Sequence, residues 1–222
     1  MRKTLGLGVA IALGVAATPQ RVEERPLLQM KEERMIVEYA ASAGEATIIV
    51  VAESEEMLGQ IEARTPDGLP LLRIQGGPNA RFPLQGFLVE TRETTLEQLR
   101  SRYVEGRYEL RALTTDGRPV GGQAVLSHDL RPAPTVTYPV EGDVTVPTTL
   151  TVTWEPDQHA RAYQVVLEQG DSDNMTVELP AGATSFSVPA GVLRSGEESH
   201  VEVGAYHANG NRTLVEVSFT TL

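Results

Sequence analysis

The stretch Leu150-Thr-Val-Thr-Trp154-Glu-Pro156, followed by Ala162-Tyr163-Gln-Val165-Val-Leu167, decides the fold of this 222-residue chain. Leu150, Val152 and Trp154 recur at every second residue, so in an extended strand all three point to one face. Tyr163, Val165 and Leu167 repeat that alternation in the next segment. The pattern predicts one strand delivering the only tryptophan of the chain to a β-sandwich core, with a second strand packed beside it. It predicts an architecture and no reaction.

Working outward, Pro134 and Pro139 flank a first strand, and Val201-Glu-Val203-Gly-Ala205 forms a late strand ending at Asn209-Gly210. Val215, Val217 and Phe219 fit a closing strand. On Trp154-Glu-Pro156, Tyr163, Leu193, Gly196 and the 201–205 run, residues 134–222 resemble a fibronectin type III domain. The resemblance implies a two-sheet sandwich and carries no activity with it. It departs from the family at one corner: where a tyrosine usually follows the leucine, this chain has His200 and Val201. Alternation sends Val201, Val203 and Ala205 inward and His200 outward, so a tyrosine corner is not expected there. The whole chain is also similar to exported bacterial proteins that place a β-rich domain before such a module.

The first half reads as β from Met35. Ile36–Tyr39 and Ala46–Ala52 are apolar runs around a turn at Ser42-Ala-Gly44-Glu45. Ile48-Ile-Val-Val51 is β-branched throughout, which predicts a strand buried on both faces. Gln60–Arg64 and Leu71–Ile74 flank Thr65-Pro66-Asp67-Gly68, where proline presets φ and glycine accepts the positive φ of a turn. Another strand is expected over Leu84–Thr91. One helix interrupts: Thr94-Thr-Leu-Glu97 has capping-box spacing, and Leu96, Leu99 and Tyr103 follow on one helical face. Glu105-Gly106-Arg-Tyr108-Glu-Leu110 then alternates, turns at Thr115-Asp116-Gly117 and returns through Val120 to Leu126. Its Gly-x-Tyr start resembles the tyrosine corner of immunoglobulin-like sandwiches, whose phenol oxygen ties back to nearby backbone.

Arg2 and Lys3, the apolar run Leu5–Ala16 and the small residues Val15-Ala16-Ala17 form the pattern of a cleaved export signal. That run is about twelve residues, short of the roughly 20 that a membrane-spanning helix needs. Residues 18–34 are charge-dense and read as a polar lead-in with room for a short helix. Arg131-Pro132-Ala-Pro134 makes a stiff linker that sheet ladders do not cross. Cysteine is absent, which removes disulfides and thiol chemistry and leaves packing to hold the fold. The net charge is −11, or −13 without Arg2 and Lys3. From Pro134 onward there are twelve acidic residues against three arginines, while residues 21–133 carry eighteen against fourteen basic ones. Such a surface repels polyphosphates, which argues against nucleic acid and anionic membranes as partners.

Catalytic patterns are missing. His128, His159, His200 and His207 have no zinc-hydrolase spacing and read as surface or partly satisfied histidines. No Gly-x-Ser-x-Gly elbow or phosphate-binding glycine loop occurs. Gly76-Gly77 and Gly121-Gly122 lie beside strands and read as turns or bulges. Carboxylates are numerous, but aromatics are 5% of the chain, which disfavours a sugar-cleaving cleft. Gly170-Asp171-Ser-Asp173-Asn174 could offer oxygen ligands to Ca²⁺ yet lacks the glycine and distal glutamate of an EF-hand, so a hairpin turn is the simpler reading. Asn174-Met-Thr176 and Asn211-Arg-Thr213 match the N-glycosylation pattern.

These features predict an all-β chain of two tandem immunoglobulin-like or fibronectin type III-like β-sandwiches, the first with one short helix. The expected divisions are a signal peptide over 1–17, a lead-in over 18–34, a sandwich over 35–130, a linker over 131–134 and a sandwich over 135–222. The expected protein is secreted or periplasmic and non-catalytic, with no catalytic, cofactor or metal residues. It would bind an unknown protein or glycan, with no nucleic acid and no membrane insertion of the mature chain. Two alternatives stay open: an enzyme or enzyme accessory with a dispersed site in the first sandwich, and a structural spacer.

Overall fold

Alternating side chains bury Ala46, Ile48, Val50 and Ala52, and one strand of 20 residues, β3 (Glu45–Arg64), carries them. The computed structural model describes residues 26–76, 84–91, 94–170 and 173–222, with the backbone alone at 173 and 174. The export signal expected over 1–17 lies outside the described residues. Ile49 and Val51 are only half-buried. The Ile48–Val51 run is therefore one-faced, not buried on both faces, because its sheet is the outer layer of a two-layer sandwich.

The strands before β3 are β1 (Leu28–Gln29) and β2 (Glu32–Ala40). Those after it are β4 (Pro70–Gln75), β5 (Leu84–Glu90) and β6 (Thr94–Thr95), then helix α1 (Leu96–Arg102), β7 (Gly106–Thr114) and β8 (Pro119–Leu126). Residues 28–29 and 32–34 are thus strand where a short helix had room to form. Met30 is buried there, and Lys31 pairs with Glu53 at 2.9 Å, so the charges sit on the outer side of an extended segment.

The first half of β3 pairs with β2 (Ile48↔Val37) and β5 (Val50↔Val89), and its second half pairs with β4 (Ile61↔Ile74) and β7 (Ile61↔Ala112). Buried positions change phase on the way, from Ala52 and Leu58 to Ile61 and Ala63. Gly59 is the extra residue, since Leu58 opposes Thr114 while Gln60 opposes Leu113. This bulge turns one strand from one layer into the other, a corner made by strand switching. Ser54, buried at the bend, accepts Glu56 N at 3.1 Å.

The helix starts one residue later than its box spacing implies. Thr94 is held in β6 opposite Ala46, so Thr95 is the N-cap and Gln98 completes the box. Leu99 is fully buried, with Leu96 and Tyr103 packed beside it. Tyr108 donates its hydroxyl to Val104 O at 2.9 Å, which is the corner contact that Gly-x-Tyr predicts.

The second half adds β9 (Val136–Tyr138), β10 (Asp143–Val146), β11 (Thr151–Trp154) and β12 (Ala162–Gln169). It closes with β13 (Asp173–Pro180), β14 (Ser185–Ser187), β15 (Glu198–Tyr206) and β16 (Arg212–Thr221). One sheet is β14-β11-β9, and β13-β12-β15-β16 faces it, with β10 parallel to β16. This arrangement is a fibronectin type III-like sandwich. Trp154 is 3% exposed, donates Nε1–H to Ala183 O at 3.0 Å, and meets the Tyr163 ring at 5.4 Å. Val201, Val203 and Ala205 are fully buried, and His200 faces outward to Ser218.

The two sandwiches share a sheet. β16 runs parallel to β2, with Arg212↔Glu38, Thr213↔Tyr39 and Leu214↔Ala40. Asn211 seals the junction: it is 0% exposed, accepts Val37 N at 2.9 Å, and donates to Ser127 O at 2.9 Å and Asp129 O at 3.0 Å. Arg212 binds Glu38 and donates to the Tyr206 hydroxyl at 3.0 Å. Thr213 donates to Pro132 O at 3.2 Å, so the proline segment is tied to the sheet beside it. Gly210 takes φ 87°, and a Cβ there would lie 3.1 Å from Ile36 Cγ2.

Candidate functional site

Among the described residues, concave places occur on the first sandwich and at the junction. The larger is a groove of about 930 Å³ on the outer face of β3, β7 and β8. Its floor carries Glu62 opposite Arg111, and Glu109, whose ladder partner Arg64 lies just outside the groove. Arg64 reaches Glu62 at 2.6 Å, and Arg111 reaches Glu109 at 2.5 Å. Leu27 (58% exposed) and Leu113 (42% exposed) line the same groove.

Gly121 and Gly122 shape its side, and they lie inside β8, opposite Arg111 and Leu110, not in a turn. A Cβ on Gly122 would sit 2.8 Å from Met30 Cγ, so the glycine is there because the segment after β1 crosses close over the strand. Of the other glycine pair, Gly76 follows β4 and donates its N–H to Gly59 O, while Gly77 lies outside the described residues.

Among the described residues the groove's lining holds no serine, threonine, cysteine, histidine or lysine, and no aromatic ring. Two of its three carboxylates are engaged by guanidinium groups, which leaves Glu33 as the one not held by an arginine among the described residues. A glycoside-cleaving pair needs one carboxyl free to donate a proton and another free to attack or activate water.

The smaller place is a cavity of about 290 Å³ at the junction, lined in part by Asp129, Arg131, His159, Arg161 and His207. It gathers two of the four histidines, which sequence spacing kept apart. His207 is 7% exposed; its Nε2 meets Thr213 Oγ1 at 3.1 Å and its Nδ1 has no hydrogen-bond partner. Burial pushes its pKa below the usual histidine value, opposed by the Asp157 carboxylate. The other histidines are satisfied locally: His128 Nε2 meets Tyr103 O at 2.8 Å, and His200 Nδ1 meets Ser218 Oγ at 3.0 Å.

Two sequence patterns resolve differently. Asn211 cannot accept a glycan in the folded chain, since both its amide atoms are engaged and fully buried at the junction. The Asp171–Asp173 calcium reading lies outside the described residues, as does the Asn174 side chain. No group of three or more potential metal ligands occurs among the described residues, and no helix there is long and apolar enough to cross a membrane.

No family model matches the sequence, and no curated protein is similar to it. Solved structures that match include tandem fibronectin modules. The fibronectin(III)-like modules of Clostridium thermocellum CbhA are 11% identical, covering 86% of this chain and 93% of that one, with a TM-score of 0.33. The FN1–FN3 domains of chicken CNTN1 are 13% identical over 88% of this chain and 65% of that one, with a TM-score of 0.36. A two-domain fibronectin type III segment of chicken tenascin is 11% identical, covering 86% and 99%, with a TM-score of 0.32. The fold assignment rests on this chain's own strands and registers.

Proposed function

We propose that the chain is an exported, non-catalytic binding module that lays an extended segment of a protein partner in the groove on β3, β7 and β8. The observation that carries this reading is the groove's lining: the paired charges of Glu62, Glu109 and Arg111 beside two exposed leucines, with no hydroxyl, thiol, imidazole or aromatic ring among the described residues. Paired charge suits a peptide of mixed polarity, and the leucines offer apolar anchors. A glycan would find hydrogen-bond partners there but no aromatic face to stack on. The export pattern at Arg2, Lys3 and Leu5–Ala16 supports a place outside the cytoplasm.

A second reading has its own observation. The shared sheet at β2 and β16 fixes the two sandwiches together, as a spacer requires. Photo-crosslinking from Gln123 in the groove, compared with the same probe at Val144 on the second sandwich, separates the two. A partner captured at Gln123 and lost in Arg111→Glu supports the binding module. Capture equal at both positions, or at neither, favours the spacer.

A further inference from the structure

The geometry points to a second ligand site: we propose that the junction cavity binds a small oxyanion, a carboxylate or a phosphoryl group held between the two sandwiches. Three separate segments build the cavity. Arg131 and Asp129 come from the stretch between the sandwiches, Gln158 to Arg161 from the loop between β11 and β12, and His207 to Asn209 from the β15–β16 turn. Asn209 donates to Asp129 O at 2.8 Å, so the walls are fixed to one another.

The charge distribution is unexpected for this chain. The second half holds only three arginines among twelve acidic residues. Arg194 reaches Glu197 at 3.1 Å and Arg212 is bound to Glu38, yet the Arg161 guanidinium makes no ion pair among the described residues and opens onto the cavity. Arg131 has only Asp129, at 3.8 Å, a distance beyond hydrogen bonding. Gln158 and His159 add further donors. Two guanidinium groups with spare donors on one small cavity suit an oxyanion, which accepts several charge-assisted hydrogen bonds at once.

His207 closes the buried side of the cavity. Its Nε2 meets Thr213 Oγ1 at 3.1 Å, and its Nδ1 is itself shielded from the cavity. The groups that face the ring are Asp157, Arg131 and His159 by charge, and Thr213 and the His159 backbone by hydrogen bond. Burial and Arg131 hold the ring neutral; an anion in the cavity reverses that balance and favours the imidazolium. Binding therefore takes up a proton and tightens as pH falls. The volume of about 290 Å³ sits at the small end of ligand sites, and domain junctions are where such sites concentrate.

The test is a titration of the intact chain with sodium phosphate, and separately with sodium acetate, at constant ionic strength held by chloride. The histidine ring signals are followed by NMR. The expected result is a saturable shift at His207 and His159, a raised His207 titration midpoint, and affinity weaker by about tenfold in Arg161→Gln, the equivalent of one charge-assisted hydrogen bond. Saturation by phosphate alone identifies a phosphoryl site, and saturation by acetate identifies a carboxylate site. Arg161 is exposed and its side chain is unbonded among the described residues, so the variant keeps the fold; Arg131→Gln serves as the second. Shifts that stay linear and match those of chloride, or an affinity unchanged in both variants, overturn the proposal.

Discussion

In the first sandwich, continuity between the layers runs through the backbone of β3; in the second it runs through side chains, above all Trp154 against Tyr163. The first spreads its core over two clusters on either side of the bend, with Leu71 and Phe87 packed against both. The second gathers one cluster around the tryptophan, whose Nε1 and neighbouring Tyr163 hydroxyl are both hydrogen-bonded to backbone. A covalently continuous corner tolerates the loss of one side chain better than a plug between two separate sheets does.

The sharpest way to break that contrast is Trp154→Ala. It should cost about 4 kcal/mol, transfer plus cavity, in denaturant unfolding followed by circular dichroism. A loss near 1 kcal/mol would mean that the second core is as distributed as the first. Asn211→Ala comes next. It leaves Val37 N, Ser127 O and Asp129 O without their partner, at about 2–3 kcal/mol, and should split calorimetric unfolding into two transitions. One unshifted transition would show that the ladder alone couples the sandwiches.

Tyr108→Phe should cost about 1 kcal/mol, the hydroxyl bond to Val104 O without the ring. The smallest effect has the opposite sign. Burial, with the like charges of Glu38, Glu216 and Glu168, raises the Glu202 pKa above the usual 4.5, against the pull of Arg212. A raised acid holds its proton more tightly in the folded chain, so its contribution is complete below pH 4.5 and is lost as pH rises through the folded value. Glu202→Gln should therefore raise the melting point at pH 7, by about 0.5 kcal/mol in stability, and the gain should disappear in acid.

What could be read from the sequence is what is local. Leu150, Val152 and Trp154 lie within five residues of one another, and Gly106-x-Tyr108 needs only the four-residue reach back to Val104. The 20-residue span of β3 was hidden because Ser54-Glu-Glu-Met57 breaks the apolar alternation and Gly59 shifts its phase. The junction was hidden for a different reason. Asn211 satisfies partners 84 and 174 residues away, and a hydrogen bond leaves no periodicity in either segment. The cavity likewise depends on His159 and His207 meeting through two loops, a contact that spacing along the chain argues against.

The parallel pairing of β2 with β16 also sets an order of events. Its partners, Glu38 and Arg212, stand 174 residues apart, so this is among the costliest loops in the molecule to close. Until the last strand arrives, the edge of β2 beyond Val37 presents unpaired amides and carbonyls, and such an edge recruits strands from other chains. The final hairpin is therefore a lid on an aggregation hazard as well as part of a core. A chain ending before Arg212 would leave the first sandwich with a sticky border, and its failure would be seen as fibrils or oligomers before it was seen as unfolding.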